Sequence, residues 1–380
     1  MDMTTIRQRI DEIDSQMVEL YKQRMEAVSE IGAYKRANNL PIYDSERERN
    51  LLNKVGEQAG EEYEGGVRAL FQTMMELSRS YQMRASGRTS TLADSMNAAV
   101  TNTEQLFPPK AMVACQGVEG AYSQIACERL FKTPSIMYCK NFENVFAAIE
   151  SGLCRYGVLP IENSLAGSVN SVYDQMISHN FYIVRSARIK VDHSLLARPG
   201  AKLSDIKEIC SHEQAINQCS EFLAAHKDIH VTVCSNTAAA AKLVAESGRS
   251  DMAAISSGSC AALYGLTSLS SDIQNDGNNH TRFICISKRL EIYPGADRTS
   301  MMMVLPNKPG SLYHVLSRFY SLGINLTKLE SRPMPGRDFE FMFYFDVDAS
   351  IYAPALKQLI TELDTELDQF TYLGSYSEMV

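Results

Sequence analysis

Ile6, Ile10, Ile13, Met17 and Leu20 recur at alternating steps of four and three. That period predicts one long amphipathic helix whose apolar stripe must be covered by another helix. Carried forward, the period reaches position 24, then 27/28, 31 and 35. Ala27, Val28 and Ile31 keep it, but Arg24 and Lys35 put cations where apolar residues are due. Asn38-Asn39-Leu40-Pro41 stops the helix. A second helix is predicted from Asp44-Ser45, with Glu48 three residues after Ser45 in the capping-box position. Gly56 and Gly60 loosen its end, and Gly65-Gly66 precede a third helix. There the stripe of Val67, Phe71 and Met74 runs on into Ser78 and Gln82. Taken singly, such residues are explained by snorkelling or capping. Together, buried polar groups in an all-helical interior cost kilocalories each unless a polar ligand satisfies them. Two cations with neutral donors suit a small dianion.

The whole chain has 380 residues, enough for two or three domains with their own cores. A net charge of −8 and a pI near 5.5 argue against a general nucleic-acid surface. No apolar run is long enough to span a bilayer, and Met1-Asp2-Met3-Thr4-Thr5 lacks the blocks of a signal peptide. The nine cysteines are scattered and never at C-x-x-C spacing, so they read as buried thiols in a reducing compartment. The expectation is a cytoplasmic protein with no metal site and no membrane partner.

From 85 to 109 the composition turns to Ser, Thr, Asn, Ala and Gly with little periodicity, which predicts a linker. Residues 110–288 alternate strand-like and helix-like pieces. Ala111 to Cys115 leads into Gly117-Val118-Glu119-Gly120-Ala121-Tyr122-Ser123, and Tyr156 to Ile161 into Glu162-Asn163-Ser164. Ile209-Cys210 leads into Ser211-His212-Glu213-Gln214, and Val231 to Val233 into Ser235-Asn236-Thr237. Strands ending in small polar loops that open helices form the α/β pattern, and such loops aim backbone N–H groups at one crevice. Gly117-x-x-Gly120 is no dinucleotide fingerprint, since the third glycine and the acidic partner are missing. His212 fits an ordinary helix cap. Asn278 to Phe283 lies where a Gly/Ser/Asp-rich loop enters an apolar strand. Thr281 is placed to donate a hydrogen bond there, and Arg282 to hold a carboxylate in a two-pronged fork.

The last segment reads strand, helix, strand, strand, helix, strand. Phe339, Phe341, Phe343 and Phe345 alternate with Glu340, Met342, Tyr344 and Asp346, a period of two. Ile324 to Arg332 and Phe339 to Val347 are joined by a Pro-Gly-Arg-Asp turn. This order is that of a ferredoxin-like α+β unit.

Three resemblances follow from these stretches. Residues 4–84 resemble the all-α chorismate mutase domain through Ile6-Arg7-x-x-Ile10-Asp11-x-Ile13-Asp14, Arg24 to Lys35, Asp44-x-x-Arg47-Glu48-Arg49, and Ser78 with Gln82. The resemblance implies a pericyclic rearrangement of chorismate to prephenate without cofactor. Lys35 and Gln82 would stabilise the ether oxygen, and Arg7, Arg24 and Arg47 would grip the carboxylates. Glu48 and Asp44 would face the substrate hydroxyl, with Ser78 also lining the site. Residues 110–288 resemble prephenate dehydratase through the loops above and Thr281-Arg282-Phe283; many relatives carry Asp where Asn236 stands. The implied reaction gives phenylpyruvate, water and carbon dioxide. Thr281 would donate to the leaving oxygen with a protonated Glu162 behind it, and Asn163, Ser164, Gln214 and Arg282 would orient the substrate. The tail resembles an ACT domain. Asn307-x-Pro309-Gly310-Ser311-Leu312 and Glu330-Ser331-Arg332-Pro333 match its phenylalanine-binding positions, making L-phenylalanine the implied effector.

The expected architecture is therefore multidomain. All-α mutase helices (1–86) and a linker (87–109) precede an α/β two-lobed dehydratase domain (110–288) and an α+β ferredoxin-like ACT domain (296–376). The mutase family's intertwined form implies a homodimer or larger homo-oligomer. Arg7 and Arg24 lie seventeen residues, about 25 Å, apart on one helix, so both can grip one substrate only if one comes from a second chain. Two rivals remain at this point: a two-lobed solute-binding module that retains ligand without turnover, and an arogenate dehydratase.

Overall fold

The computed structural model describes residues 2–86, 90–334, 336 and 340–380. The chain forms two compact units. One comprises Met1–Asp94, Leu305–Ile324 and Pro354–Gln369; the other comprises Ser95–Val304, Asn325–Ala353 and Phe370–Val380.

The first unit is helical. Helix Met3–Ala37 begins where the Asp2 carboxylate accepts from the Thr5 N–H at 2.8 Å, a side-chain cap on an orphan donor. The next helix, Ser45–Ser86, breaks at Gly60, whose φ of 70° and ψ of 167° are not helical. The chain folds back at that point. Arg68 Nη1 reaches Asn53 Oδ1 at 3.3 Å, a pair that a straight helix would separate by about 22 Å. The third helix thus begins at the Gly60 break, and Gly65 and Gly66 lie inside it. Asp44 caps the second helix through the Arg47 N–H at 3.0 Å. Glu48 does not close a capping box: it pairs with Arg79 at 2.5 Å.

Two helices from the end of the sequence, Ser311–Ser321 and Pro354–Glu366, belong to this unit. They pack against the arm 61–86. Ser317 Oγ donates to Glu76 at 2.8 Å, Ser80 Oγ to Glu362 at 2.6 Å, and Gln72 meets His314 at 2.8 Å. By contrast, residues 2–23 of the first helix are exposed throughout. Its apolar stripe is bare, with Ile10 50%, Met17 48% and Leu20 64% exposed.

The second unit holds three sheets. In the first, strands Glu378–Met379, Tyr182–Lys190, His280–Ser287, Tyr156–Asn163, Met112–Gln116 and Ser135–Cys139 lie side by side in that order, and Gly167–Ser168 pairs with Tyr156–Asn163. In the second the order is Thr267–Ser270, Ser194–Ala197, Met252–Ser256, Glu208–Ser211, His230–Val233. These are the two lobes. The third sheet runs Asn325–Pro333, Phe341–Asp348, Arg298–Val304, Phe370–Tyr376. With chain order strand, helix, strand, strand, helix, strand, that arrangement is ferredoxin-like. Phe339, with Pro335, Arg337 and Asp338 of the expected turn, lies outside the described residues.

One face of the third sheet shares a core with the first lobe. Met302, Met342, Tyr344 and Leu373 pack with Phe146, Ile149, Val172 and Met176, each fully buried side chain contributing about 1.5–3 kcal/mol. The backbones also meet. Gly374, at φ 137°, abuts Ile183 so closely that a Cβ there would collide with the Ile183 carbonyl, so only glycine fits.

Where composition suggests a linker there is a helix, Thr91–Asn102, capped by Ser90 Oγ on the Ala93 N–H at 2.9 Å. Met96 and Ala99 on it are buried. Among the described residues no helix is long and apolar enough to cross a membrane. All nine cysteines are free thiols, eight of them buried.

Candidate functional site

Between the two lobes of the second unit lies a cavity of about 420 Å³. Thr281 and Phe283 reach it from strand His280–Ser287, Pro160 and Asn163 from the strand beside it, and His212 and Gln214 from the other lobe. Two helices open onto it, at Tyr122 and at Thr237. The second is capped by Asn236 Oδ1 on the Ala239 N–H at 2.7 Å, the bond an aspartate would also make.

Thr281 sits opposite Asn163 in the antiparallel ladder. Asn163 Oδ1 accepts from the N–H groups of Leu165 and Ala166 at 3.1 and 2.9 Å, which fixes the orientation of its amide. Its Nδ2 therefore donates to Thr281 Oγ1 at 3.0 Å and to Asn279 Oδ1 at 2.7 Å. With one lone pair of Thr281 taken, its hydroxyl hydrogen is free to point into the cavity. Asn163 thus orients Thr281, a role the expected carboxylate contact did not include.

Three expected site residues are placed elsewhere. Successive residues of a strand face opposite sides of a sheet. Arg282 consequently turns away from the cavity that Thr281 lines. It is 8% exposed, with Nη1 on Asp346 Oδ2 at 2.6 Å and Nη2 on Tyr376 Oη at 2.7 Å. Burial alone would loosen its proton, but Tyr376, Asp346 and Glu378 outweigh burial and raise its pKa. Glu162 lies opposite Arg282 in the ladder and receives Lys328 Nζ at 2.8 Å. A register shift between Arg282 and Phe283 separates it from Pro160. It does not stand behind Thr281. Ser164 is occupied with the loop: its Oγ accepts from the His280 N–H at 2.9 Å.

If Glu162 is not the proton source, Glu162→Gln should lower dehydration by no more than about tenfold, short of the 10²–10³ typical of a lost transition-state donor. A loss as deep as that of Thr281 variants, with the acid limb of the pH–rate profile gone, would restore Glu162 to the mechanism.

His193 was not among the expected site residues, yet it lines the cavity at 2% exposure. Its Nε2 meets Gln218 Oε1 at 2.9 Å and its ring stands edge-on to Tyr122. Burial pushes its pKa below the usual imidazole range, so it is neutral at pH 7. His212 caps its short helix, its Nδ1 accepting from the Gln214 N–H at 3.2 Å. That bond leaves the proton on Nε2. A histidine in the stretch Val191-Asp192-His193-Ser194 carries no spacing signal that would have marked it.

In the helical unit, Arg24 Nη1 donates to Ser78 Oγ at 2.6 Å. Gln82 is 8% exposed and its Oε1 has no partner, a state that costs free energy until a hydrogen-bond donor meets it. Burial lowers the Arg24 pKa. Lys35, one turn beyond Gly32 on the same helix, donates to the Ile42 carbonyl at 2.5 Å. Arg24, Ser78 and Gln82 are thus brought together. Asp44 and Arg47 are exposed at the start of the second helix, and Arg7 is exposed near the start of the first, far from Arg24. Glu48 is drawn to Arg79, which also lies over the Tyr43 ring.

Of the expected effector residues, Asn307, Pro309, Gly310, Ser311 and Leu312 belong to the helical unit. Gly310, at φ 87°, precedes helix Ser311–Ser321. Glu330, Ser331, Arg332 and Pro333 are on strand Asn325–Pro333 of the other unit. There Glu330 accepts from Ser168 Oγ at 2.5 Å, and Arg332 grips Asp174 at 2.8 and 3.0 Å.

Family models match in three consecutive blocks: chorismate mutase type II over residues 6–83, prephenate dehydratase over 113–291, and the ACT domain over 299–363. Arogenate dehydratase/prephenate dehydratase 2 of Arabidopsis thaliana is 37% identical over 279 residues, 70% of this chain and 73% of its own length. The bifunctional chorismate mutase/prephenate dehydratase of Escherichia coli (strain K12) is 28% identical over 387 residues, 98% of this chain and 96% of its own. A prephenate dehydratase from Arthrobacter aurescens, solved in complex with L-Phe, superposes with a TM-score of 0.64 at 29% identity, covering 70% of this chain and 90% of that one. The chain belongs to the prephenate dehydratase family, with a type II chorismate mutase segment before the dehydratase and an ACT domain after it.

Proposed function

We propose that this chain rearranges chorismate to prephenate in its helical unit and converts prephenate to phenylpyruvate in the interlobe cavity, under feedback inhibition by phenylalanine. The observation that carries the dehydratase reading is Thr281, its hydroxyl turned by Asn163 into a donor at a cavity between two lobes.

The mutase step breaks the ether C–O bond and forms a C–C bond, with no proton gained or lost. Charge grows on the ether oxygen as the bond stretches. Gln82, donating through its amide N–H, and Lys35 are the groups assigned to that oxygen. Arg24, steadied by Ser78, grips a carboxylate.

In the dehydratase step the electrons of the ring–carboxylate bond pass into the ring, CO₂ departs, and the ring C–O bond breaks as its oxygen takes up a proton drawn from solvent and leaves as water. Negative charge therefore moves from the carboxylate to the hydroxyl. Among the described residues lining the cavity there is no Lys, Arg, Asp or Glu. That arrangement suits the charge movement: a cation on the departing carboxylate would stabilise the ground state more than the transition state. Neutral donors such as Gln214, with the helix starts at Tyr122 and Thr237, hold the substrate. Thr281 meets the leaving oxygen. This replaces the expected carboxylate clamp by Arg282.

The bare apolar stripe on residues 6–20 supports a homodimer in which each first helix covers the other. Nine free thiols fit a reducing cytoplasmic setting. The fused mutase block favours prephenate over arogenate as substrate.

Incubating the purified protein with chorismate alone should give prephenate and then phenylpyruvate, and added L-phenylalanine should slow the second step. Chorismate retained but unchanged would instead point to a binding module.

A further inference from the structure

Thr281 and Arg282 are neighbours in sequence that face opposite sides of one strand. Thr281 looks into the cavity. Arg282 looks at the third sheet, and every partner it holds lies toward the end of the sequence. Asp346 is on strand Phe341–Asp348, Tyr376 ends strand Phe370–Tyr376, and Glu378 starts the edge strand that joins the first sheet. Ser300, on strand Arg298–Val304, closes the cluster by bonding both Asp346 and Tyr376. Glu378 is ion-paired with Arg298 at 2.9 Å and Arg188 at 2.8 Å, and lies 3.6 Å from Arg282 Nε. Arg282, Ser300 and Tyr376 are all buried, at 8%, 2% and 1% exposure.

We propose that Arg282 is a positioning residue that ties the Thr281 strand to the ACT sheet, so that a shift of that sheet is felt at Thr281 one peptide bond away. Two features of the cluster favour a relay over a static brace. Both hydrogen bonds of the guanidinium go to strands of the third sheet while its own backbone belongs to the first, so relative movement of the sheets must act on it. Its two-pronged grip on Asp346 and Tyr376 also fixes direction as well as distance, which a single contact would not. An effector that binds two arrangements of the sheet with unequal affinity then biases Thr281 without touching substrate. The proposal rests on the reading of Thr281 as leaving-group donor and of the ACT sheet as effector-responsive.

The test compares wild type with Asp346→Asn and, as a milder variant, Tyr376→Phe, which deletes one hydroxyl. Prephenate turnover and its inhibition by L-phenylalanine in the wild type establish the underlying reading; their absence would remove that reading before any variant is compared. In both variants the phenylalanine concentration for half-inhibition should rise at least about fivefold. Turnover without effector should fall about two- to tenfold at an unchanged KM. Thermal unfolding and near-ultraviolet circular dichroism of the same samples report that the second unit is folded. Wild-type inhibition and turnover in a folded Tyr376→Phe would overturn the proposal. So would a raised KM with kcat intact, since Arg282 would then be serving substrate binding.

Discussion

In Thr281→Val protein, phenylpyruvate formation falls about 10²–10³-fold, the loss expected when a single transition-state hydrogen-bond donor is removed. Valine keeps the branched shape, so the strand and the Phe283 packing are retained. Only the hydroxyl between Asn163 Nδ2 and the cavity disappears. Chorismate consumption in the same sample should be unchanged, because Arg24, Ser78 and Gln82 belong to the other unit. Because the donor acts on charge that develops as the oxygen leaves, kcat should fall while KM holds. Thr281→Ser, which keeps the donor, should recover most of the rate. Equal loss of both activities in a folded variant would remove Thr281 from its assigned role.

The second large effect is on the mutase. Arg7→Ala and Arg24→Ala should each lower chorismate rearrangement by about 10²-fold or more, since each removes a charge that holds the reactive conformer. The two arginines lie on one unbroken helix, Met3–Ala37, about 25 Å apart along its axis. One small substrate cannot span that distance within a chain. If Arg7 acts on the partner's site, co-folding the two variants restores about a quarter of normal activity per chain. Half the chains then sit in mixed dimers, each with one intact site. No recovery, with mixed dimers verified by mass spectrometry, would mean that Arg7 does not cross between chains. The exposed Ile10, Met17 and Leu20 supply a second reading of the same idea. Charged substitutions there should abolish the dimer and the mutase together, and leave Thr281 chemistry in place.

Much of this was legible in the residues. The heptad stripe marked the first helix, and the small polar loops marked the α/β segment. The strand–helix order marked the ferredoxin-like tail. Arg24 and Ser78, each a polar break in the apolar stripe of its own helix, meet in the structure. The errors come from direction. The sequence reading places Thr281 and Arg282 at one mouth, although a strand must point them to opposite faces. Glu162 and Asn163 fail as a pair for the same reason, with the register shift beside Arg282 hiding the alternation. Residues 91–102 read as a linker on their Ser, Thr, Asn and Ala content, although Leu92, Met96, Ala99 and Val100 stand at helical spacing. The packing of helices Ser311–Ser321 and Pro354–Glu366 against residues 61–86 had no local signature, because it joins segments more than 200 residues apart.

The Arg282 cluster also sets a timetable for synthesis. The strand bearing Thr281 leaves the ribosome with a cation that must be buried, yet Asp346, Tyr376 and Glu378 follow it by up to roughly a hundred residues, some 5–20 s at ordinary elongation rates. Until they arrive, closing the first lobe around an uncompensated guanidinium would cost several kcal/mol. The nascent lobe therefore has reason to stay open while the mutase helices ahead of it are already made. A growing chain of this kind acquires its lyase chemistry late, and acquires it together with the strands through which that chemistry is restrained.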